Sequence, residues 1–255
     1  MDLFVRESGP VEAPAIVFLH GGECSGRSWQ PVVERMQGYR CLVPDLPQHG
    51  ESSQRGPFEM GGAAAAVAEL IRSRVGTGRV HVVGHSLGAQ VGVQLLATEP
   101  KLVDRAVLCG TIVNAAPRLT VPLLGLYARI QRPVTIWWNA RYAGMPSAET
   151  EDYSGELPVM TGAQLAPIVV ASAGFTLPEG LDQSESPTLL LTGAEETWLV
   201  HRSAATLARR MPNGVNRIAI GKRHDWPLRY ADLFSRTVDG WLNDTALPPE
   251  IALPG

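Results

Sequence analysis

The chain has 255 residues, of which 45% are hydrophobic and 18% charged, enough apolar material for one full core and unlike the composition of a disordered chain. A formal net charge of −3 with no run of Lys or Arg supplies no field for a phosphate backbone, so nucleic acid is not an expected partner. Cys24, Cys41 and Cys109 match neither a metal-ligand spacing nor a disulfide framework, no stretch is long and apolar enough to span a bilayer, and Met1 to Glu7 carries no leader pattern; the expectation is a cytoplasmic protein without a membrane partner.

In chain order, Val17–Leu19, Cys41–Val43, Val80–Val83, Ala106–Leu108, Leu189–Leu191 and Ile218–Ile220 read as strands buried on both faces. Helices are expected at Trp29–Met36, Gly62–Arg74, Leu87–Ala97, His201–Met211 and Tyr230–Asn243, and Ala246–Gly255, rich in proline, reads as a tail. The alternation predicts an α/β fold: a mostly parallel central sheet flanked by helices, with functional groups gathered at the carboxyl ends of the strands. The span from Leu108 to Thr188 far exceeds what one crossover helix needs. It is expected to be a helical lid, residues 112–185, inserted before the penultimate strand between two core portions, 1–111 and 186–255. Pro133, Pro146, Pro158 and Pro167 should break it into short helices. Its Tyr127, Trp137, Trp138 and Tyr142 are candidate substrate-binding side chains for an apolar or aromatic group, with the lid's own small core as their alternative use.

The chemistry is concentrated in Gly84-His85-Ser86-Leu87-Gly88, a G-x-S-x-G between a strand run and a helix. Such a nucleophile elbow holds serine at strained backbone angles, and the flanking glycines relieve collisions that side chains would make. Serine is a weak nucleophile at neutral pH and needs a base held by a third group. His224, after the last strand, is the expected base, in the chain order serine, acid, histidine; His81 reads as structural, His201 as the start of a helix, and His49 as a brace in a turn. Glu195 and Glu196 both follow the strand ending at Gly193, and one of them, or Asp225 or Asp182, would orient the imidazole. His20-Gly21-Gly22 closes the first buried strand and lets backbone approach a substrate oxygen, so the amides of Gly22 and Leu87 form the expected oxyanion hole. This mechanism calls for no metal and no organic cofactor.

With these pieces in order, the chain resembles the α/β-hydrolase superfamily, in particular its capped bacterial esterase-like members. The likeness rests on His20-Gly21-Gly22, Asp45-Leu46-Pro47-Gln48-His49-Gly50-Glu51-Ser52, the elbow, Gly193 to Glu196, and His224. In that family the acid commonly stands three residues after the strand-ending glycine, which implies Glu196 here, a Glu where Asp is usual. Ser86 excludes the relatives that carry Asp at the elbow. The resemblance implies hydrolysis of a carboxylic ester or lactone, a small-molecule substrate, through an acyl-serine. Carbon–carbon bond hydrolases and cofactor-free haloperoxidases share the fold and triad, and a triad-retaining ligand sensor is the alternative outside catalysis.

Overall fold

The computed structural model describes residues 2–76, 78–113, 117, 119–129 and 160–254. The six apolar runs form strands: β2 (Ala15–Leu19), β3 (Arg40–Pro44), β4 (Val80–His85), β5 (Val103–Cys109), β6 (Thr188–Gly193) and β7 (Gly214–Ala219). They pair in parallel in the spatial order β3-β2-β4-β5-β6-β7. Five of the runs are unbroken rather than alternating because both faces are covered, whereas β7, Gly-Val-Asn-Arg-Ile-Ala, is only partly buried, and Ile220, expected within a buried strand, lies beyond its end and is exposed. Val17, Leu19, Val82 and Leu108 face one core, shared with α1 (Met60–Val75) and α2 (Leu87–Thr98). Their neighbours Ile16, Phe18, Val83 and Val107 face the other, built around Trp29, Trp226 and Phe234.

From β2 the chain steps outward to β3, then returns across β2 to β4 and proceeds the other way. The carboxyl ends of β2 and β4 therefore diverge at a topological switch point, the place where doubly wound sheets open a crevice. His20 follows β2 there and Ser86 follows β4.

Between β5 and β6 the described residues include α3 (121–129) and α4 (Gly162–Ala173). Pro167 does not break α4; a capping box of Thr161 and Gln164 starts the helix and it runs through the proline. Pro133, Pro146 and Pro158, and with them Trp137, Trp138 and Tyr142, lie outside the described residues. After β6 come α5 (Trp198–Arg210), which begins before the expected His201, and α6 (Ala231–Leu242). The expected helix at Trp29–Met36 is a 3₁₀ turn, Gly26–Trp29, followed by one α turn, Gln30–Val33.

Two edge strands were not expected. β1 (Val5–Ser8) pairs antiparallel with β3, and its polar Val-Arg-Glu-Ser sequence is half solvated, as an edge permits. β8 (Ile251–Ala252) pairs antiparallel with β7, so the presumed tail closes the sheet and buries Ile251. Among the described residues, no helix is long and apolar enough to cross a membrane.

Candidate active site

Ser86 forms the single-residue turn between β4 and α2 at φ 53° and ψ −113°. Holding a non-glycine residue there costs on the order of 1–3 kcal/mol, and the surroundings impose it. The Ser86 amide donates to the Cys109 carbonyl at 2.8 Å, and the Gln90 amide donates to the Ser86 carbonyl at 3.1 Å. A Cβ on Gly84 would come within 2.7 Å of the Gly88 carbonyl oxygen, and one on Gly88 within 2.1 Å of the Leu19 oxygen. Both glycines are thus required by backbone packing around the turn. Leu87 opens α2, where amide N–H groups have no intrahelical partner and the helix dipole is positive.

His224, in the loop after β7, places Nδ1 2.5 Å from Oε1 of Glu196. The other carboxylate oxygen, Oε2, accepts from the Gly193 amide at 2.7 Å. Of the two adjacent glutamates, Glu196 is the one that reaches His224, with a side chain only 2% exposed, while Glu195 pairs with Arg223 at 2.9 Å and is 50% exposed. The separation arises where the loops after β6 and β7 join: the amides of Ala194 and Glu195 donate to the carbonyls of Ala219 and Lys222, each at 2.9 Å. Asp225 pairs with Arg229, and Asp182 with Arg210.

Gly110, at φ 66°, is a site glycine that the motif reading did not single out. A Cβ there would lie 2.7 Å from Cε1 of His224 and 3.4 Å from Oε1 of Glu196. Because Ser86 bonds to the preceding Cys109, the imidazole lies across Gly110 close to the elbow. The signal available was a glycine closing the β5 run.

Three buried histidines support these loops. His20 Nδ1 donates to the Gly21 carbonyl at 2.8 Å, and Nε2 accepts the Leu46 amide at 3.0 Å. In a trans peptide the carbonyl and the next N–H point in opposite directions, so tying down the Gly21 oxygen turns the Gly22 N–H away from His20. Burial pushes the His20 pKa down to about 4, and burial followed by the nearby His20 pushes His49 down to about 3. His85 Nε2 donates to the His224 carbonyl at 2.9 Å, with ring centroids 4.8 Å apart. Its pKa falls to about 3, first through burial and then through its neighbour His224. These rings are neutral, and each donates a hydrogen bond that fixes a loop.

Of the expected substrate contacts, Tyr127 lies on α3 with its side chain about half exposed. Beside the loop after β2 stands Ile168 of α4: its Cγ2 would be 4.0 Å from a Cβ on Gly22, and Leu87 is at 3.9 Å. Among the described residues no cluster of three or more His, Cys, Asp or Glu has a geometry that would hold a metal ion.

The comparisons with known proteins agree with this architecture. Two curated relatives are matched over only about half of their own length, 52% and 41%. One of them is Lipase LipV of Mycobacterium tuberculosis, 33% identical over 108 residues, 42% of this chain. A longer match, 24% identical over 251 residues and 92% of each chain, is with (E)-2-((N-methylformamido)methylene)succinate hydrolase of Acinetobacter baylyi. Among solved structures, the enol-lactonase from Burkholderia xenovorans LB400 superposes with a TM-score of 0.81 at 20% identity, covering 94% of this chain and 96% of that one. The family model described as alpha/beta hydrolase fold matches residues 14–145, and the chain belongs to that family.

Proposed function

We propose that the protein is a carboxylic ester hydrolase, acting on an ester or lactone through an acyl-Ser86 intermediate. The observation that carries this reading is the His224–Glu196 pair lying across Gly110 beside a backbone-strained Ser86. His224 Nε2 takes the hydroxyl proton as Oγ of Ser86 attacks the substrate carbonyl carbon, and Glu196 stabilises the imidazolium through Nδ1. The amides of Gly22 and Leu87 receive the negative charge that develops on the carbonyl oxygen, a contribution of about 3 kcal/mol for each donor of this type. The tetrahedral intermediate collapses, and the departing alkoxide takes the proton from His224. Water, deprotonated by the same imidazole, then attacks the acyl-serine, releasing the acid and restoring the serine. A lactone follows the same steps, with its alcohol still attached to the acyl group.

The chemistry needs no cofactor. On this reading the segment 112–185 serves as a cap and Tyr127 is a candidate contact for the apolar part of a small-molecule substrate; the other candidates, Trp137, Trp138 and Tyr142, lie outside the described residues. Similarity to a protein named as a lipase supports an ester as substrate. The test is steady-state hydrolysis of p-nitrophenyl esters of graded acyl length and of an acyl lactone series, by the native protein and Ser86→Ala. Native turnover that falls by about 10⁴-fold or more in the variant is expected. Hydrolysis that survives in Ser86→Ala, or a native protein that cleaves none of the substrates, overturns the proposal.

A further inference from the structure

Gln90 stands one turn along α2 from Ser86, 2% exposed in a helix otherwise buried through apolar contacts. A buried primary amide is costly unless its donors and acceptor are matched. Here they are matched by partners distant in the chain. Nε2 donates to the carbonyl of Ile112 at 2.7 Å and to that of Ser172 at 3.1 Å, while Oε1 accepts the Ser172 hydroxyl at 2.8 Å. Ile112 lies where the chain leaves β5, and Ser172 lies near the end of α4. One side chain on the nucleophile helix therefore ties down both the outgoing chain and α4.

Ser172 and Ile168 are four residues apart on α4, on one helical face. Ile168 is 3% exposed, packs in the same core cluster as Leu87 and borders Gly22, so it overhangs the two amides assigned to the oxyanion hole. We infer that Ile168 is a specificity-determining residue that limits the acyl group beside the oxyanion loop, and that Gln90 is a positioning residue that sets its height by clamping Ser172. The amide makes its full set of bonds only with α4 in this seat, so a displaced α4 leaves buried polar groups unpaired. α3 packs against the same helix, where Gly125 admits Val170 of α4 so closely that a Cβ there would lie 2.5 Å from Cγ2.

This inference rests on Ser86 being the nucleophile, and its test separates the two ideas. Values of kcat/KM for p-nitrophenyl octanoate and acetate would be compared in the native protein, Ile168→Ala, Gln90→Leu and the double variant. Ser172→Ala serves as a milder cut that keeps the Gln90 amide. Ile168→Ala should raise the octanoate-to-acetate ratio about tenfold, the order a few methylenes command in a pocket. Gln90→Leu and Ser172→Ala should move it the same way, and the double variant should exceed Ile168→Ala by no more than about twofold, the sign of a shared route. Equal scaling of both esters in Gln90→Leu, or full additivity in the double variant, overturns the inference while leaving the esterase reading intact. Hydrogen exchange supplies the arm independent of turnover: in Gln90→Leu, amides of 162–173 should exchange faster while those of β4 do not. Unchanged exchange over 162–173 overturns the clamp whether or not any ester is cleaved.

Discussion

The carboxyl edge of the sheet holds two kinds of histidine. His224 is 45% exposed and keeps a carboxylate at Nδ1, whereas His20, His49 and His85 lie below it, at most 5% exposed. Burial dominates the lowering of all three pKa values, to about 4 or about 3, so these rings work uncharged as rigid donors to backbone oxygens. The same ring is open to solvent and paired with a carboxylate at one position and a buried strut at the other three. On the proposed mechanism the exposed upper layer supplies the chemistry and the buried lower layer its geometry, so damage to each should be distinguishable.

The largest effect should come from Glu196→Gln, which leaves a side chain of similar size at Nδ1 but removes the charge that holds the tautomer and stabilises the imidazolium. A fall in kcat of about 10³–10⁴-fold with little change in KM is expected on p-nitrophenyl esters. A variant within tenfold of the native rate would end the assignment of Glu196 as the acid. In the lower layer, His20→Ala leaves the Gly21 carbonyl with only the long 3.4 Å bond from the Cys24 amide and strands the buried Leu46 amide. It should lower kcat by about 10²-fold through the Gly22 amide and reduce the unfolding free energy by about 2–4 kcal/mol, measured by urea titration. Loss of stability with kcat unchanged would confine His20 to the fold.

The lower layer also predicts a pH dependence of stability. The three pKa values lie below the unfolded value of 6.5, so between them and 6.5 the unfolded chain binds more protons than the native one. Stability from neutral burial is complete above about pH 6.5 and is lost as pH falls toward 4 and then 3. Each histidine contributes a slope of at most about 1.4 kcal/mol per pH unit. Urea midpoints measured from pH 7 to 4 should decline, with His85→Leu showing a shallower slope; parallel slopes in the two proteins would contradict a neutral His85. The smallest effect belongs to the exposed pair at the rim. Glu195→Gln breaks the exposed contact to Arg223 and should change kcat by less than about twofold while leaving the urea midpoint essentially where it is. A loss matching that of Glu196→Gln would mean the two carboxylates share the role.

Much of this was legible in local sequence. The run Arg79 to Val83, the G-x-S-x-G and the helix after it place Ser86 without reference to any distant residue, because strand, strained turn and helix each leave a short-range signature. The unbroken apolar runs likewise announced strands covered on both faces, hence a parallel sheet with its working edge at the carboxyl ends. The edge strands left weaker marks. β1 is half solvated and needs few apolar residues, and β8 is two residues long, so Ala246–Gly255 read as a tail although its backbone completes the sheet.

Composition, strand runs and the motif by themselves determined the fold class and the position of the G-x-S-x-G turn between strand and helix, because those depend on neighbours within a few residues. The spacing of residues around Glu195 and Glu196 left both open and the family resemblance favoured Glu196; tertiary structure brings Glu196 to His224, since the loops after β6 and β7 turn one glutamate inward and leave the other to Arg223. It also decided that His85 holds the His224 loop across 139 positions, and that Gln90 joins Ile112 and Ser172 across 22 and 82. A buried polar side chain is specified by partners that chain folding brings to it, and the spacing of its own neighbours carries no record of them.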